Sequence, residues 1–336
     1  MEEKREFNNK NMRNIPLVAI YMVTYNHEKY IAQAIESVVS QQTDFDIRLI
    51  ICEDFSTDRT RDICISFKEK FNDKIDLVFN NPNIGAIQNG LQAFKLCLES
   101  GAKYIAILEG DDYWIDPLKL QKQVDFLELN PDFGLVHTNL ERIENGKITE
   151  HWQAGNIPSG FVFEKLLTQE ISIATLTICM RRELLEESLN VYSKQVNIRN
   201  WKTGDYPIWL QCSLIAKFAY FNDKTAFYRT VEGSMTRNND KKKQFELIKS
   251  VFDIQKFFMD RENVDAKIKN KIECVFHSKS IRFAFSLGDK KLAREDYEFL
   301  KAHGYHPQNY KVGLLFLAVK SHFIWQMLKI LKNVGI

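Results

Sequence analysis

The sequence predicts an α/β fold, a mostly parallel sheet flanked by helices, followed by a C-terminal all-α region. Three observations carry this. Short apolar runs alternate with helical periodicity from residue 17 to residue 137. The residues after each run are polar, and two of these ends hold paired acids. From Lys241 onward only helical periodicity remains, in about four segments. Strands that alternate with helices pair in parallel, because a parallel neighbour needs a crossover that covers the sheet face.

Residues 17–23 form a continuous apolar run and read as a buried strand. Ile31, Ile35, Val38 and Val39 then recur at helical spacing, and residues 47–52 read as a second strand. Ser56-Thr57-Asp58 offers an N-cap for a helix through Ile63 and Phe67. Residues 75–79 form a third strand, and 86–98 a helix with Ile87, Leu91, Phe94 and Leu98 on one face. Residues 104–108 form a fourth strand. Pro117 suits the first turn of a helix that runs to about Leu129, and Gly134 opens another strand. Between 150 and 240 the pattern loosens. Residues 160–167 and 184–189 read as helical and 172–180 as a strand, while Gly204-Asp205-Tyr206-Pro207 turns into a helix through Trp209 and Leu214. The chain thus divides into a disordered leader (1–14), an α/β domain (15–238) and a helical accessory region (239–336).

Composition narrows the function classes. The 336 residues are 45% hydrophobic and 27% charged, as in ordinary globular proteins. A net charge of +2, with no basic stripe interleaved with aromatics in the first 230 residues, argues against nucleic acid as a partner. Cys52, Cys64, Cys97, Cys179, Cys212 and Cys274 are scattered among apolar residues without a CxxC pair, which fits small buried side chains in a reducing compartment rather than zinc ligands. The polar leader has no apolar core for a signal peptide, and no apolar stretch reaches the ~18 residues of a spanning helix. A cytoplasmic protein is expected. Residues 311–336 carry four lysines and no acid, with His322, Gln326, Lys329 and Asn333 at helical spacing. Two readings stay open for this basic amphipathic helix: contact with anionic lipid on the inner face of the membrane, or packing on its own domain.

Ligands on parallel sheets bind beyond the carboxyl ends of the strands. Those ends read Thr24-Tyr25-Asn26, Glu53-Asp54-Phe55-Ser56, 80–85 with Asn83 and Gly85, and Glu109-Gly110-Asp111-Asp112. Three carboxylates within four residues repel one another, and a divalent cation with oxygen ligands relieves that repulsion. Paired acids at two ends exceed what turn chemistry needs.

Taken in order, Val23-Thr24-Tyr25-Asn26, Glu53-Asp54 to Asp58, Asn83-Ile84-Gly85 with Asn89 and Gly90, Glu109-Gly110-Asp111-Asp112 and Gly204-Asp205 resemble glycosyltransferase family 2 over about residues 15–238. That family has the GT-A fold, a Rossmann-like sheet. The Glu-Gly-Asp-Asp-Tyr-Trp form is similar to bacterial enzymes that build surface polysaccharides. The resemblance implies a metal-dependent, inverting transfer of a sugar from a nucleotide-sugar donor, UDP-linked by preference, to a glycan or lipid-linked acceptor. It implies that Thr24, Tyr25 and Asn26 meet the nucleoside, and that Asp54 accepts from the base while Asp58 either follows it or caps the helix. Glu53, Asn83, Gly85 and Asn89 would complete the donor site. Glu109 would lie near the ribose, Asp111 would bind Mn²⁺ or Mg²⁺ at the diphosphate, and Gly110 and Asp112 would support them. Asp205 would be the catalytic base, and Arg229 or Arg237 would clamp the diphosphate. Glu109 and Glu53 depart from the commoner Asp by one methylene, which shifts a carboxylate by about an ångström. Several residues read more simply. Asp205 also has the chemistry of a helix N-cap. His27 reads as a solvated loop histidine, Arg181 and Arg182 as surface charges, and Trp114 as packing. Competing classes are a sugar nucleotidyltransferase, which favours a Gly-rich, basic loop after the first strand where Thr24-Tyr25-Asn26-His27 stands, and a non-catalytic binding module.

Overall fold

The structure, a computed structural model, describes residues 15–144, 147–149, 157–230, 240–307 and 310–333. The 1–14 leader, Arg237 with its neighbours in 231–239, and the last residues of the 311–336 segment lie outside the described residues. The chain forms two compact units. The first holds residues 1–163, 172–193 and 211–231; the second holds 164–171, 194–210 and 232–336. The sequence reading placed one boundary, at 238/239, and so left 164–171 and 194–210 in the α/β domain.

The first unit is built on one sheet. Strands β1 (Val18–Thr24), β2 (Ile47–Glu53), β3 (Ile75–Phe79) and β4 (Tyr104–Ile107) run parallel in the order β3-β2-β1-β4. The sheet then continues through β8 (Cys179–Arg181), β6 (Phe133–Glu144), β9 (Lys217–Arg229) and β5 (Tyr113–Trp114), with β7 (Lys147–Thr149) on β6. β8 is antiparallel to both of its neighbours, so the sheet is mixed beyond β4. Helices α1 (Ile31–Val39), α2 (Thr60–Lys70), α3 (Ala86–Glu99) and α4 (Lys119–Leu129) follow the strands as the periodicity predicts. Next in the chain come α5 (Phe163–Leu167), of which 164–167 fall in the second unit, and α6 (Arg182–Arg199) and α7 (Asp205–Ile215), whose residues are divided between the two.

The core forms where the apolar runs are. All of β2 and β4 is buried, and Ile31, Ala34, Ile35 and Val38 of α1 join the same cluster. The buried face of α3 is rotated from the apolar stripe seen in sequence. It runs through Asn89, Gly90, Ala93, Phe94 and Cys97. The reason is close approach: a Cβ on Gly90 would lie 2.9 Å from the Tyr21 hydroxyl, and Asn89 is claimed by buried hydrogen bonds. The segment 172–180 becomes a 3-10 turn (Thr175–Thr177) before β8. β9 escaped the sequence reading because register shifts against β6 blur its alternation. The arginine expected on the surface at 181 is a brace instead, donating to the carbonyls of Phe133 and Leu127 and to the Tyr104 hydroxyl.

Lys119 is fully buried in α4, and among the described residues no carboxylate hydrogen-bonds its ammonium. Its Nζ donates to Gln123 Oε1 (2.7 Å) and the Ile178 carbonyl (3.4 Å), and it sits 4.4 Å from the Trp114 ring centroid. Burial lowers its pKa from 10.5 to about 7. Between those values the unfolded chain binds a proton that the folded chain lacks, so stability rises with pH across that window. Above 9.0 the effect is opposed, because burial pushes the thiols of Cys52, Cys64, Cys179 and Cys212 up to about 12. Denaturant titrations should therefore show stability climbing by about 1 kcal/mol from pH 7 to pH 8.5, and Lys119→Met should flatten that climb. An equal climb in the variant would exclude Lys119 as its source.

The second unit is helical. From Lys241 onward the described residues form α8 (Lys241–Arg261), α9 (Ala266–Leu287), α10 (Lys290–Ala302), α11 (Tyr310–Lys320) and α12 (His322–Asn333), five helices where the periodicity predicts about four. Asp240, Asp265 and Asp289 cap α8, α9 and α10 through their side chains. The core of the last four helices gathers around Ile281, Ala284, Tyr297, Leu315 and Trp325.

Candidate active site

The carboxyl ends of β1, β2, β3 and β4 meet along one edge of the first unit, tied by hydrogen bonds between consecutive ends. The turn after β4 keeps following β1: Leu108 N–H donates to the Tyr21 carbonyl and Gly110 N–H to the Val23 carbonyl, each at 3.0 Å. This approach leaves no space for a side chain at 110. A Cβ there would sit 2.7 Å from Thr24 Oγ1 and 3.0 Å from Ile31 Cδ1. Gly110 therefore fixes Glu109 and Asp111 on either side of a glycine pressed against β1.

The loops after β1 and β2 interlock. Asn26, with φ of 55°, donates from its N–H to Ser56 Oγ and accepts from Thr57 N–H at its Oδ1, both at 2.9 Å. His27 N–H donates to Thr60 Oγ1, and Glu28 N–H to Asp58 Oδ2. Asp58 also accepts from Thr60 N–H at the start of α2. Burial is the largest single influence and raises its pKa, but the bonds from Thr60 and Glu28 together outweigh it and hold the carboxyl below the usual range. Asp58 thereby ties the loop after β1 to the entry of α2.

Four predicted donor residues turn inward. Glu53 is fully buried, accepting from Ser56 N–H and forming a short ion pair with Arg61, whose guanidinium stacks 4.6 Å from the Phe79 ring centroid. Asp54 Oδ1 accepts from Asn80 Nδ2 and Ile84 N–H, and Oδ2 from Gly85 N–H, all at 2.9 Å. Asn89 accepts from Asn80 and donates to the Cys52 carbonyl. Asp112, 3% exposed, accepts from Arg229 N–H at 2.7 Å. Burial pushes its carboxyl well above the usual range, the Asp111 and Glu109 charges push it further, and Arg229 opposes them. Buried polar groups need partners, and Glu53, Asp54, Asn89 and Asp112 each find theirs within the protein. They shape the loops that carry Tyr25, Asn83 and Gly85. Gly85 has φ of 84°, which favours glycine, and Asn83 bridges the Asp54 carbonyl and Gly85 N–H.

Asp111 differs. Among the described residues no hydrogen bond occupies its carboxylate, and its Oδ2 lies 4.0 Å from His27 Nε2. His27 is not a solvated loop residue. Its side chain is 20% exposed, it bonds Thr24 Oγ1 through Nδ1 at 3.2 Å, and burial lowers its pKa against the pull of Asp111 and Asp58. Burial thus disfavours the charged form of the imidazole that faces the Asp111 carboxylate.

Arg229 ends β9 beside this turn. Its Nη1 donates to the Asp111 carbonyl at 2.8 Å, Nη2 donates to Gln33 Oε1, and the guanidinium lies 4.3 Å from the Tyr113 ring centroid and 5.3 Å from that of Tyr30. β5 pairing antiparallel with β9 brings it there. The sequence pointed to Arg229, and to Asn80 as part of the polar end of the third strand, but not to Gln33, Tyr30 or Arg61, none of which stands in a motif. Trp114 is packing, as expected: it is 4% exposed and donates from Nε1 to the Leu176 carbonyl.

Asp205 belongs to the second unit, as the first residue of α7. Its Oδ1 accepts from Tyr206 N–H at 2.8 Å, and among the described residues no side chain bonds it. Burial raises its pKa against that bond.

No group of three or more His, Cys, Asp or Glu side chains is gathered for a metal among the described residues. Asp111 with His27 beside it is a two-donor set. Such a set suits Mg²⁺ or Mn²⁺ held by one or two protein ligands and by substrate phosphates, and does not suit an all-protein metal cage.

Comparison with known proteins supplies the context. The model of the family described as "Glycosyl transferase family 2" matches residues 19–189. The chain is 37% identical to uncharacterised proteins of Mycobacterium bovis and Mycobacterium tuberculosis, but only over 116 residues, and this match spans 32% of their length. It is 28% identical to the Escherichia coli UDP-Glc:alpha-D-GlcNAc-diphosphoundecaprenol beta-1,3-glucosyltransferase WfaP, over 82% of this chain and 99% of that one. By structure it is similar to Staphylococcus aureus TarS in complex with UDP-GlcNAc, with a TM-score of 0.56, 16% identity, and coverage of 91% of this chain and 88% of that one. It is also similar to the mannosyltransferase of Pyrobaculum calidifontis in complex with GDP-Man and Mn²⁺, with a TM-score of 0.52, 15% identity, and coverage of 91% and 80%. At these identities the two structures show a shared fold.

Proposed function

The chain belongs to glycosyl transferase family 2, and from that premise we propose that it moves a sugar from a nucleotide-diphosphate sugar to a hydroxyl acceptor in surface-glycan biosynthesis, with inversion and with Mn²⁺ or Mg²⁺. One observation carries the reading most directly. Asp111 is a strand-end acid with a carboxylate that the described fold does not use, locked in place by Gly110 and Arg229.

The donor fits along the ends of β1 to β4. Tyr25, 44% exposed, offers a ring to the nucleoside, and the 83–85 loop offers polar groups held in shape by Asp54. Asp111, with His27 beside it, would hold the metal, which supplies Lewis-acid neutralisation of the leaving diphosphate. Arg229 holds the turn by its carbonyl and keeps Asp111 aimed. In the transfer the acceptor oxygen bonds to the anomeric carbon as the bond from that carbon to the diphosphate oxygen breaks. The acceptor proton passes to Asp205, and the nucleoside diphosphate leaves with the electron pair. A single base and a single displacement invert the carbon, through the oxocarbenium-like stage familiar from glycoside hydrolysis. A UDP donor is supported by the names of WfaP and of the TarS complex, and a glycan or lipid-linked acceptor by the name of WfaP.

A thermal-shift panel tests this. UDP-, dTDP- and GDP-sugars, each with and without Mn²⁺, should separate, with a UDP-sugar plus Mn²⁺ stabilising most. At a hundredfold excess over Kd the gain is about 2.7 kcal/mol. No stabilisation by any nucleotide sugar would overturn the proposal.

A further inference from the structure

We propose that α11 and α12 dock the chain on an anionic lipid surface. Each helix buries one face and leaves a second apolar stripe in solvent. In α11, Val312, Leu315 and Ala318 enter the core, while Tyr310, Leu314 and Leu317 are 72%, 42% and 51% exposed. In α12, Trp325 is buried edge-on against Phe285, while Phe323, Met327 and Ile330 are 76%, 41% and 63% exposed. Both exposed triplets follow the i, i+4, i+7 spacing of one helix face. Six of the 21 large hydrophobic side chains exposed among the described residues fall within 310–330, so exposed apolar side chains concentrate in these two helices.

Charge identifies the occupant. Residues 310–333 hold Lys311, Lys320, Lys329 and Lys332 and neither Asp nor Glu. Lys290 of α10 adds a cation beside His322, with Nζ 2.7 Å from Nδ1. Two copies of this face would bring lysine against lysine, which disfavours self-association. A phosphate-bearing bilayer complements both properties: apolar side chains enter the acyl boundary, and lysine stems reach up to the headgroups. Helices of 11 and 12 residues rise about 17 Å, short of a hydrocarbon core of about 30 Å. No helix among the described residues is long and apolar enough to cross a membrane, so the fit is in the plane of the interface. Of the two readings the sequence left open, packing on its own domain accounts for one face of each helix, and lipid accounts for the other. The inference does not depend on the transfer reaction.

The test is flotation of the full chain with vesicles of phosphatidylcholine alone or with about 30% phosphatidylglycerol. Partition onto the anionic vesicles should exceed that onto neutral ones by at least tenfold and should fall as salt is raised, since headgroup attraction is screened. A Leu317→Asp, Phe323→Asp double variant alters only exposed positions. It should keep the wild-type melting temperature and nucleotide-sugar response and should bind anionic vesicles no better than neutral ones. Equal partition of the wild type onto both vesicles would overturn the proposal, as would undiminished binding by a folded variant. So would a wild-type dimer in sedimentation that the variant loses, which would assign the face to a second copy. A variant that fails to fold would be replaced by Lys311→Gln, Lys320→Gln, and binding through this face then predicts a severalfold loss on anionic vesicles alone.

Discussion

Asp111→Ala should reduce transfer by about 10³-fold or more and abolish the extra stabilisation that Mn²⁺ gives to nucleotide-sugar binding, while the protein alone melts as the wild type does. The size follows from charge. Lewis-acid neutralisation of a leaving diphosphate is worth several kcal/mol, and each 1.36 kcal/mol is tenfold in rate. The selectivity follows from the bonding. Glu53, Asp54 and Asp112 each accept hydrogen bonds that hold loops together, so removing one disturbs the fold and the site at once. The Asp111 carboxylate accepts none among the described residues, and its contribution to position runs through its backbone carbonyl, which alanine keeps. Initial rates with a matched donor and acceptor, read beside thermal shifts with and without Mn²⁺, check both halves. Full activity in the variant would remove Asp111 from the metal site, and a loss of melting temperature without nucleotide would make it structural.

The parallel half of the fold was legible because its signals are local. Strands buried on both faces read as continuous apolar runs, and Ile47–Glu53 and Tyr104–Ile107 are buried throughout. The acids could be found for the same reason: they follow those runs directly. What could not be read was the direction of each side chain. Glu53 and Asp54 are adjacent to exposed loop positions in sequence, yet both are buried, because Arg61, Asn80 and the N–H groups of 84 and 85 come from later elements to meet them. His27 is the reverse case, a loop residue by composition that the Thr24 and Thr60 bonds draw in beside Asp111. β9 was invisible because its pairing with β6 changes register, so no period of two survives in residues 217–229. Arg229 owes its place to that strand.

Asp205→Asn should lower turnover by about 10²- to 10⁴-fold, the usual worth of general-base catalysis, with nucleotide-sugar affinity unchanged. The amide keeps the side chain's shape and an oxygen that can still accept from Tyr206 N–H, so the start of α7 should hold. What it loses is the ability to take a proton. Burial gives a second signature. Desolvation disfavours the carboxylate and raises the Asp205 pKa above its ordinary value of 3.8. A base must be ionised to act, so wild-type turnover should rise with pH through that elevated pKa and then level off, and the acid limb should lie above the normal carboxylate range. The variant's residual rate should lack that limb. The helix-cap reading predicts otherwise: a cap lost to asparagine costs little, since Asn caps nearly as well as Asp, and turnover would stay near wild type. Rate profiles of both proteins at saturating donor, with affinity measured separately, therefore divide base from cap. Retained turnover would return Asp205 to a structural role, and so would a collapse of nucleotide affinity in the variant.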